Sequence, residues 1–124
     1  CLKNFMGACH RETNQFFHSG SGAKGEYENV VFLSQCIADV NLVRRPDLNV
    51  CDGSEFLLTN GPAGPGELKR ANKVIVGPNP VSVDAYGCTL LDLSADKVAM
   101  IGMAASHGIG EPSLAKLSIR EAKL

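Results

Sequence analysis

Two aspartates in this sequence have neighbours that suit acid–base or metal chemistry. Asp52 directly follows the short apolar run at 48–51, and Asp84 follows a second apolar run at 73–77 within the stretch VGPNPVSVDA. Ligands of open α/β sheets bind beyond the carboxyl ends of strands. Carboxylates in that position serve as oxygen ligands for cations or as general acids and bases. The spacing therefore predicts one site with Asp52 and Asp84 as its catalytic pair.

Further polar residues are candidates for holding a ligand at that site. Lys3 is suited to bind an anion through its positive charge. The loop around Asn60 and Gly61 is suited to cover the ligand as a lid or to bind it through backbone groups. The full set of predicted ligand-binding residues is Lys3, Asn4, His18, Asn60, Gly61 and Asn79. Structural roles are the alternative: Asp52 in a turn, Asn79 as a helix cap, and Asp84 as an acidic residue near a helix start.

The stretch GSGAKG at 20–25 satisfies the G-x-G-x-x-G pattern of dinucleotide-binding loops. That pattern needs a buried strand before its first glycine and an acidic residue about 20 residues later. The apolar residues directly before it are limited to Phe16 and Phe17, and Asp52 lies farther along the chain than the pattern requires. The stretch is therefore more typical of a polar loop. An NAD(P)-dependent oxidoreductase that binds its cofactor through GSGAKG is kept as a third hypothesis.

The five cysteines are widely spaced and form no C-x-x-C pair. This pattern argues against a disulfide scaffold and against an iron–sulfur or zinc site built from this chain alone. We expect free thiols in a reducing, cytoplasmic environment. A soft metal site is the alternative, and its ligands would be Cys1, Cys9, His10 and His18, although their spacing matches no finger-type site.

Apolar periodicity and turn signals predict the elements that would position these residues. They are a helix at 28–43, strands at 48–51 and 73–77 around a loop at 59–66, helices at 80–93 and 94–107, and a last strand at 117–120. Asn79 is the expected N-cap of the first helix after the strands, and His107-Gly108 the end of the next. This order predicts a single α/β domain over 1–124, with a layered sheet of mixed or mainly parallel strands and flanking helices.

Composition and charge exclude several classes of partner. The chain is 44% hydrophobic and 20% charged, with a formal net charge of −1, so nucleic acid is not an expected partner. No apolar run reaches the ~20 residues that span a bilayer. The sequence starts at Cys1 without an initiator methionine, which suggests a fragment of a larger domain. Sheet edges left unpaired in such a fragment would favour homo-oligomers.

Several short motifs, taken together and in order, resemble the family known as domain of unknown function 362. They are LKNFMG at 2–7, IADV at 37–40, RPDLNVCDG at 45–53, NGP at 60–62, VGPNPVSVDA at 76–85 and AASHGIG at 104–110. The resemblance places Lys3, Asn4, His18, Asp52, Asn60, Gly61, Pro62, Asp84 and Gly108 on recurrent polar or glycine positions of the family.

The resemblance implies little about activity, because the family has none assigned. Its members occur in bacteria and archaea, often in longer proteins with a ferredoxin-like iron–sulfur module, and some carry export signals. This sequence lacks the family's N-terminal portion and the clustered cysteines of a ferredoxin, so no iron–sulfur cluster is expected within it. The cofactor, the metal and the reaction are not identified by the sequence.

Two functions therefore lead at this point. The first is a small-anion or metal-dependent ligand site that uses Asp52 and Asp84, with or without catalysis. The alternative is a non-catalytic, redox-associated module that partners a ferredoxin-like domain.

Overall fold

The computed structural model describes residues 1–19 and 26–123, which form a mixed α/β fold. The GSGAKG stretch lies outside the described residues. The described elements, in chain order, are a 3-10 helix at Lys3–Ala8, α1 (Arg11–Ser19), α2 (Glu26–Val43), β1 (Asn49–Leu57), β2 (Leu68–Gly77), α3 (Pro80–Leu90), a 3-10 helix at Ala95–Lys97, α4 (Ala99–Ser106) and a 3-10 helix at Leu114–Lys116.

The strands β1 and β2 form an antiparallel hairpin, in which Val50 pairs with Val76 and Cys51 with Ile75. The predicted layered sheet of mixed or mainly parallel strands is wrong for the described residues, whose sheet has these two strands. The reason is the length of the connection. Parallel neighbours need a crossover of a dozen or more residues, and the Gly- and Pro-rich segment 58–67 is shorter, so it reverses the chain directly.

The termini of the chain also differ from the predictions. The stretch 117–120, whose alternating apolar and polar residues predicted a strand, is irregular. Such a pattern is a weak signal unless a neighbouring strand supplies hydrogen bonds, and this stretch pairs with neither β1 nor β2. The predicted helix at 94–107 is divided into a 3-10 turn at Ala95–Lys97 and the helix α4. Near the other terminus, α1 follows the N-terminal 3-10 helix, and Phe17 on α1 packs against the core.

The helices supply the hydrophobic core. Helix α2 packs against α4, and the N-terminal 3-10 helix packs against α2. The buried side chains of this core come from these elements, from α3 and from two residues just outside them, Leu2 and Ile109; they are Leu2, Met6, Ile37, Ala38, Val81, Cys88, Ile101, Ala104 and Ile109. The predicted helix at 28–43 is thus confirmed as the central element of the fold.

Helix α3 covers one face of the hairpin, which we call the inner face. A Cβ atom placed at Gly53 would lie 2.8 Å from Leu90 Cδ1, and one at Gly77 would lie 2.9 Å from Val83 Cγ2. These distances are shorter than a carbon–carbon contact of about 3.5 Å. The two glycines therefore allow α3 to approach the strands closely, and the opposite, outer face of the hairpin points away from α3.

Candidate functional site

Asp84 joins α3 to the start of the chain. Its Oδ1 atom lies 2.5 Å from the backbone nitrogen of Cys1, and its Oδ2 atom accepts a hydrogen bond of 2.8 Å from the backbone N–H of Leu2. The side chain of Asp84 is 10% exposed. Both carboxylate oxygens are therefore engaged with backbone groups, and the contact holds the buried Leu2 against the core.

Asn79 is the N-cap of α3, as the sequence predicts. Its Oδ1 atom accepts hydrogen bonds from the backbone N–H groups of Val81 and Ser82, at 2.9 and 3.1 Å. Its Nδ2 atom donates to the carbonyl oxygen of Ile109 at 2.8 Å, while the Ser82 hydroxyl donates to the carbonyl oxygen of Glu111. The segment after α4 thus covers the start of α3, and the Asn79 side chain joins the two through its cap and its bond to Ile109.

Asp52 lies on the outer face of the hairpin. Because neighbouring residues of a strand point to opposite faces and Gly53 faces α3, the Asp52 side chain points away from α3. It accepts a hydrogen bond of 2.8 Å from the Ser54 backbone N–H. Hydrogen bonds from the side chain and backbone of Ser54 lower the pKa of the Asp52 carboxyl. The structure does not bring Asp52 and Asp84 together, so their catalytic roles stay predictions.

Four of the remaining predicted ligand residues are exposed and lie on two separate segments. Lys3 and Asn4 are in the N-terminal 3-10 helix. Asn60, in the left-handed region at a φ of 54°, donates from Nδ2 to the carbonyl oxygen of Pro65, which closes the hairpin loop next to Gly61.

His18 lies on α1 beside an open depression. Its Nδ1 atom is 2.8 Å from the carbonyl oxygen of Asn14, one helical turn earlier. The depression has a volume of about 350 Å³ and is lined by Arg11, Asn14, Gln15 and His18. All four residues come from one face of a single helix. Among residues 1–19 and 26–123, no group of three or more His, Cys, Asp or Glu side chains is arranged to hold a metal ion.

The outer face of the hairpin carries an exposed aliphatic surface that the sequence reasoning missed. Leu48, Val50, Val74 and Val76, which we call the outer patch, are each between 59% and 63% exposed. Val50 and Val76 are direct cross-strand partners, and Val74 lies opposite Asp52. Val74, Ile75 and Val76 form a continuous apolar run in the sequence, so no local signal shows that the two valines are exposed while Ile75 faces α3.

A second missed feature is a polar network on the inner face. Lys73 of β2 donates from Nζ to the Tyr86 hydroxyl of α3 at 3.1 Å, and Tyr86 donates to Glu121 Oε1 at 2.6 Å. Lys73 Nζ also lies 3.3 Å from Glu121 Oε1 and 5.6 Å from the centre of the Tyr86 ring. No local sequence signal links these residues, because they are brought together by the packing of α3 and the tail.

The similarity of this chain to known proteins is found at the level of a family. A family model described as a domain of unknown function (DUF362) matches residues 1–89, which include the hairpin and nearly all of α3. Comparison with curated proteins and with solved structures gave no match. None of the described helices is long and apolar enough to cross a membrane.

Proposed function

Because the chain belongs to the domain of unknown function 362 family, whose description carries no activity, we propose a function from its surfaces: a non-catalytic assembly module. In this proposal the outer face of its hairpin packs against the same face of a second copy. The observation that carries the proposal is the outer patch. Contiguous exposed aliphatic surfaces of this kind mark interaction sites on soluble proteins, and a two-stranded sheet with one bare face is marginal by itself.

The size of the outer patch fits a reversible dimer. Burying a Val or Leu side chain completely is worth about 1.5–3 kcal/mol, and each of the four side chains still exposes about 60% of its surface. Two copies together would gain about 7–14 kcal/mol, against an association cost of about 4–15 kcal/mol. Because the two ranges overlap, the outer patch alone supports a weak, reversible dimer rather than a permanent one.

Charge on the outer face favours a second copy as the occupant. Along β2, Arg70 alternates in step with Val74 and Val76, and the register shift between Gly53 and Glu55 makes Glu55 its cross-strand partner on this face. Glu55 and Arg70 form an ion pair. A two-fold axis parallel to the strands places β1 of one copy over β2 of the other. Glu55 then faces Arg70 of the second copy and Val50 faces its Val76, while the exposed Asp52 lies opposite its Val74.

The predictions made from the sequence are retained as alternatives. A small-anion or metal site that uses Asp52 and Asp84, a ferredoxin-like partner and a cytoplasmic location stay predictions. The assembly role is preferred because Asp84 already binds two backbone nitrogens and Asp52 points away from it across the sheet.

The test is the oligomeric state measured by sedimentation across protein concentration. Val50→Thr/Val76→Thr keeps two β-branched residues in the strands but adds hydroxyl groups to the patch. We expect it to raise the dimer dissociation constant at least about tenfold, since about 1.4 kcal/mol corresponds to a factor of ten. Val43→Thr is the matched control, because Val43 is 88% exposed at the end of α2, outside the patch. A chain that is monomeric at millimolar concentration, or a dimer that the double variant leaves unchanged, would refute the proposal.

A further inference from the structure

We propose that Lys73 and Tyr86 form a binding site for a small carboxylate ligand, and that the side chain of Glu121 fills this site when the ligand is absent. The site is separate from the assembly surface, because Lys73 and Tyr86 lie on the inner side of the hairpin. The proposal does not depend on the assembly function.

The geometry around Glu121 is that of a recognised carboxylate. One oxygen, Oε1, accepts from the Tyr86 hydroxyl at 2.6 Å and from the Lys73 ammonium at 3.3 Å. The two donors also contact each other at 3.1 Å. Hydrogen bonds in which one partner is charged are stronger than neutral ones. Two donors that point at a single oxygen atom therefore define where the oxygen of a bound carboxylate lies.

The donors and the acceptor differ in how firmly the fold holds them. Lys73 lies within the β2 ladder and Tyr86 within α3, and the close approach of α3 to the strands fixes one relative to the other. Glu121, by contrast, lies in an irregular and exposed tail at 118–123. The part that binds therefore belongs to the rigid scaffold, and the carboxylate belongs to the segment that is easiest to displace.

The charge on Lys73 suits an anion rather than a neutral ligand. Hydrogen bonds to Tyr86 and Glu121 raise the pKa of Lys73, and hydrogen bonds from Tyr86 and Lys73 lower the pKa of Glu121. The Lys73 side chain is 43% exposed, so a ligand from solution can reach it. A tethered carboxylate competes at an effective concentration in the millimolar range. Glu121 therefore weakens the binding of a free carboxylate.

The experiment uses the whole chain and sodium acetate as the probe, at constant ionic strength with chloride as the reference salt. In Glu121→Gln, the resonances of Lys73 and Tyr86 should shift in a saturable manner with acetate. In the wild-type chain, half-saturation should need about tenfold more acetate, because the tethered carboxylate competes. Lys73→Met in the Glu121→Gln background keeps an aliphatic stem of similar length and should abolish saturation.

Three outcomes would overturn the inference. The first is a shift in Glu121→Gln that grows linearly and equally with acetate and chloride. The second is an identical acetate response in Glu121→Gln and the wild type. The third is saturation that survives in the Lys73→Met double variant. Because Glu121 and Lys73 are both partly exposed, these variants should fold, and unchanged thermal unfolding serves as the check.

Discussion

Leu2 and Asp84 are 82 positions apart in the sequence and are joined by a hydrogen bond of 2.8 Å, from the Leu2 backbone N–H to Asp84 Oδ2. The Leu2 side chain is fully buried, and its carbonyl oxygen accepts from Nδ2 of the buried Asn41 on α2. One backbone segment is thus held from both sides, by α3 and by α2. This makes Asp84 a structural anchor for the N-terminal segment.

Asp84→Asn should destabilise the fold. The amide keeps one acceptor but places an NH₂ group opposite a backbone donor, and it loses the negative charge. We expect the free energy of unfolding to fall by about 1–3 kcal/mol, the cost of leaving a buried polar group unpaired. Urea denaturation measures it. Asp47→Asn is the control: Asp47 is 85% exposed in its pair with Arg44, and exposed pairs contribute at most about 1 kcal/mol. Equal stability of Asp84→Asn and the wild type would leave Asp84 free for a catalytic role.

Asn79→Ala should loosen both α3 and the segment after α4. Loss of an N-cap costs about 1 kcal/mol, and the carbonyl oxygen of Ile109 would lose its donor as well. We expect a total loss of about 1–3 kcal/mol and faster amide hydrogen exchange at Val81 and Ser82. Asn79→Asp separates the two effects, because it preserves the cap but cannot donate to Ile109. Slow exchange in Asn79→Ala would contradict the capping role.

Two glycine substitutions should change stability in opposite directions. The Cβ atom of Gly77→Ala would lie 2.9 Å from Val83 Cγ2, so either the Val83 side chain or α3 must shift, at a cost of about 1–3 kcal/mol. Gly102→Ala in α4 has no atom within 4 Å of its Cβ position and should stabilise the helix by up to about 1 kcal/mol. Thermal unfolding of both variants tests the close packing of α3 on the hairpin. A neutral Gly77→Ala would argue against it.

The contact of the tail should depend on pH. The pKa of Glu121 is lowered by hydrogen bonds from Tyr86 and then Lys73. A lowered pKa in the folded state means that the stabilisation is fully present above the ordinary Glu value of about 4.3 and is lost as the pH falls through the lowered value. Conversely, the raised pKa of Lys73 gives a contribution that is fully present below about 10.4 and is lost as the pH rises through the raised value.

The loss of the Glu121 contact at low pH can be measured on Tyr86. Its ring resonances, followed from about pH 2 to about pH 7, should show a step below the ordinary pKa of a glutamate. Glu121→Gln should remove that step. A step centred above the ordinary value, or one that persists in Glu121→Gln, would show that Glu121 is not the partner of Tyr86.

Local patterns in the sequence determined the elements that carry their own signals. The periodicity of 28–43 predicted α2, Asn79-Pro80 predicted the start of α3, and His107-Gly108 predicted the end of α4. The motifs also identified the family, which the match over residues 1–89 confirms. These features are decided within a few residues, by capping hydrogen bonds and by the spacing of apolar side chains along one helix.

The tertiary structure alone decided which of these residues meet. The sequence suggested that Asp52 and Asp84 share a sheet edge, yet the antiparallel hairpin and the alternation of its side chains place Asp52 on the outer face, away from α3. The contacts of Asp84 with Leu2 and of Lys73 with Glu121 join residues that are distant in the chain. Strand direction and such long-range contacts depend on how the elements pack, and no local pattern of residue types records that packing.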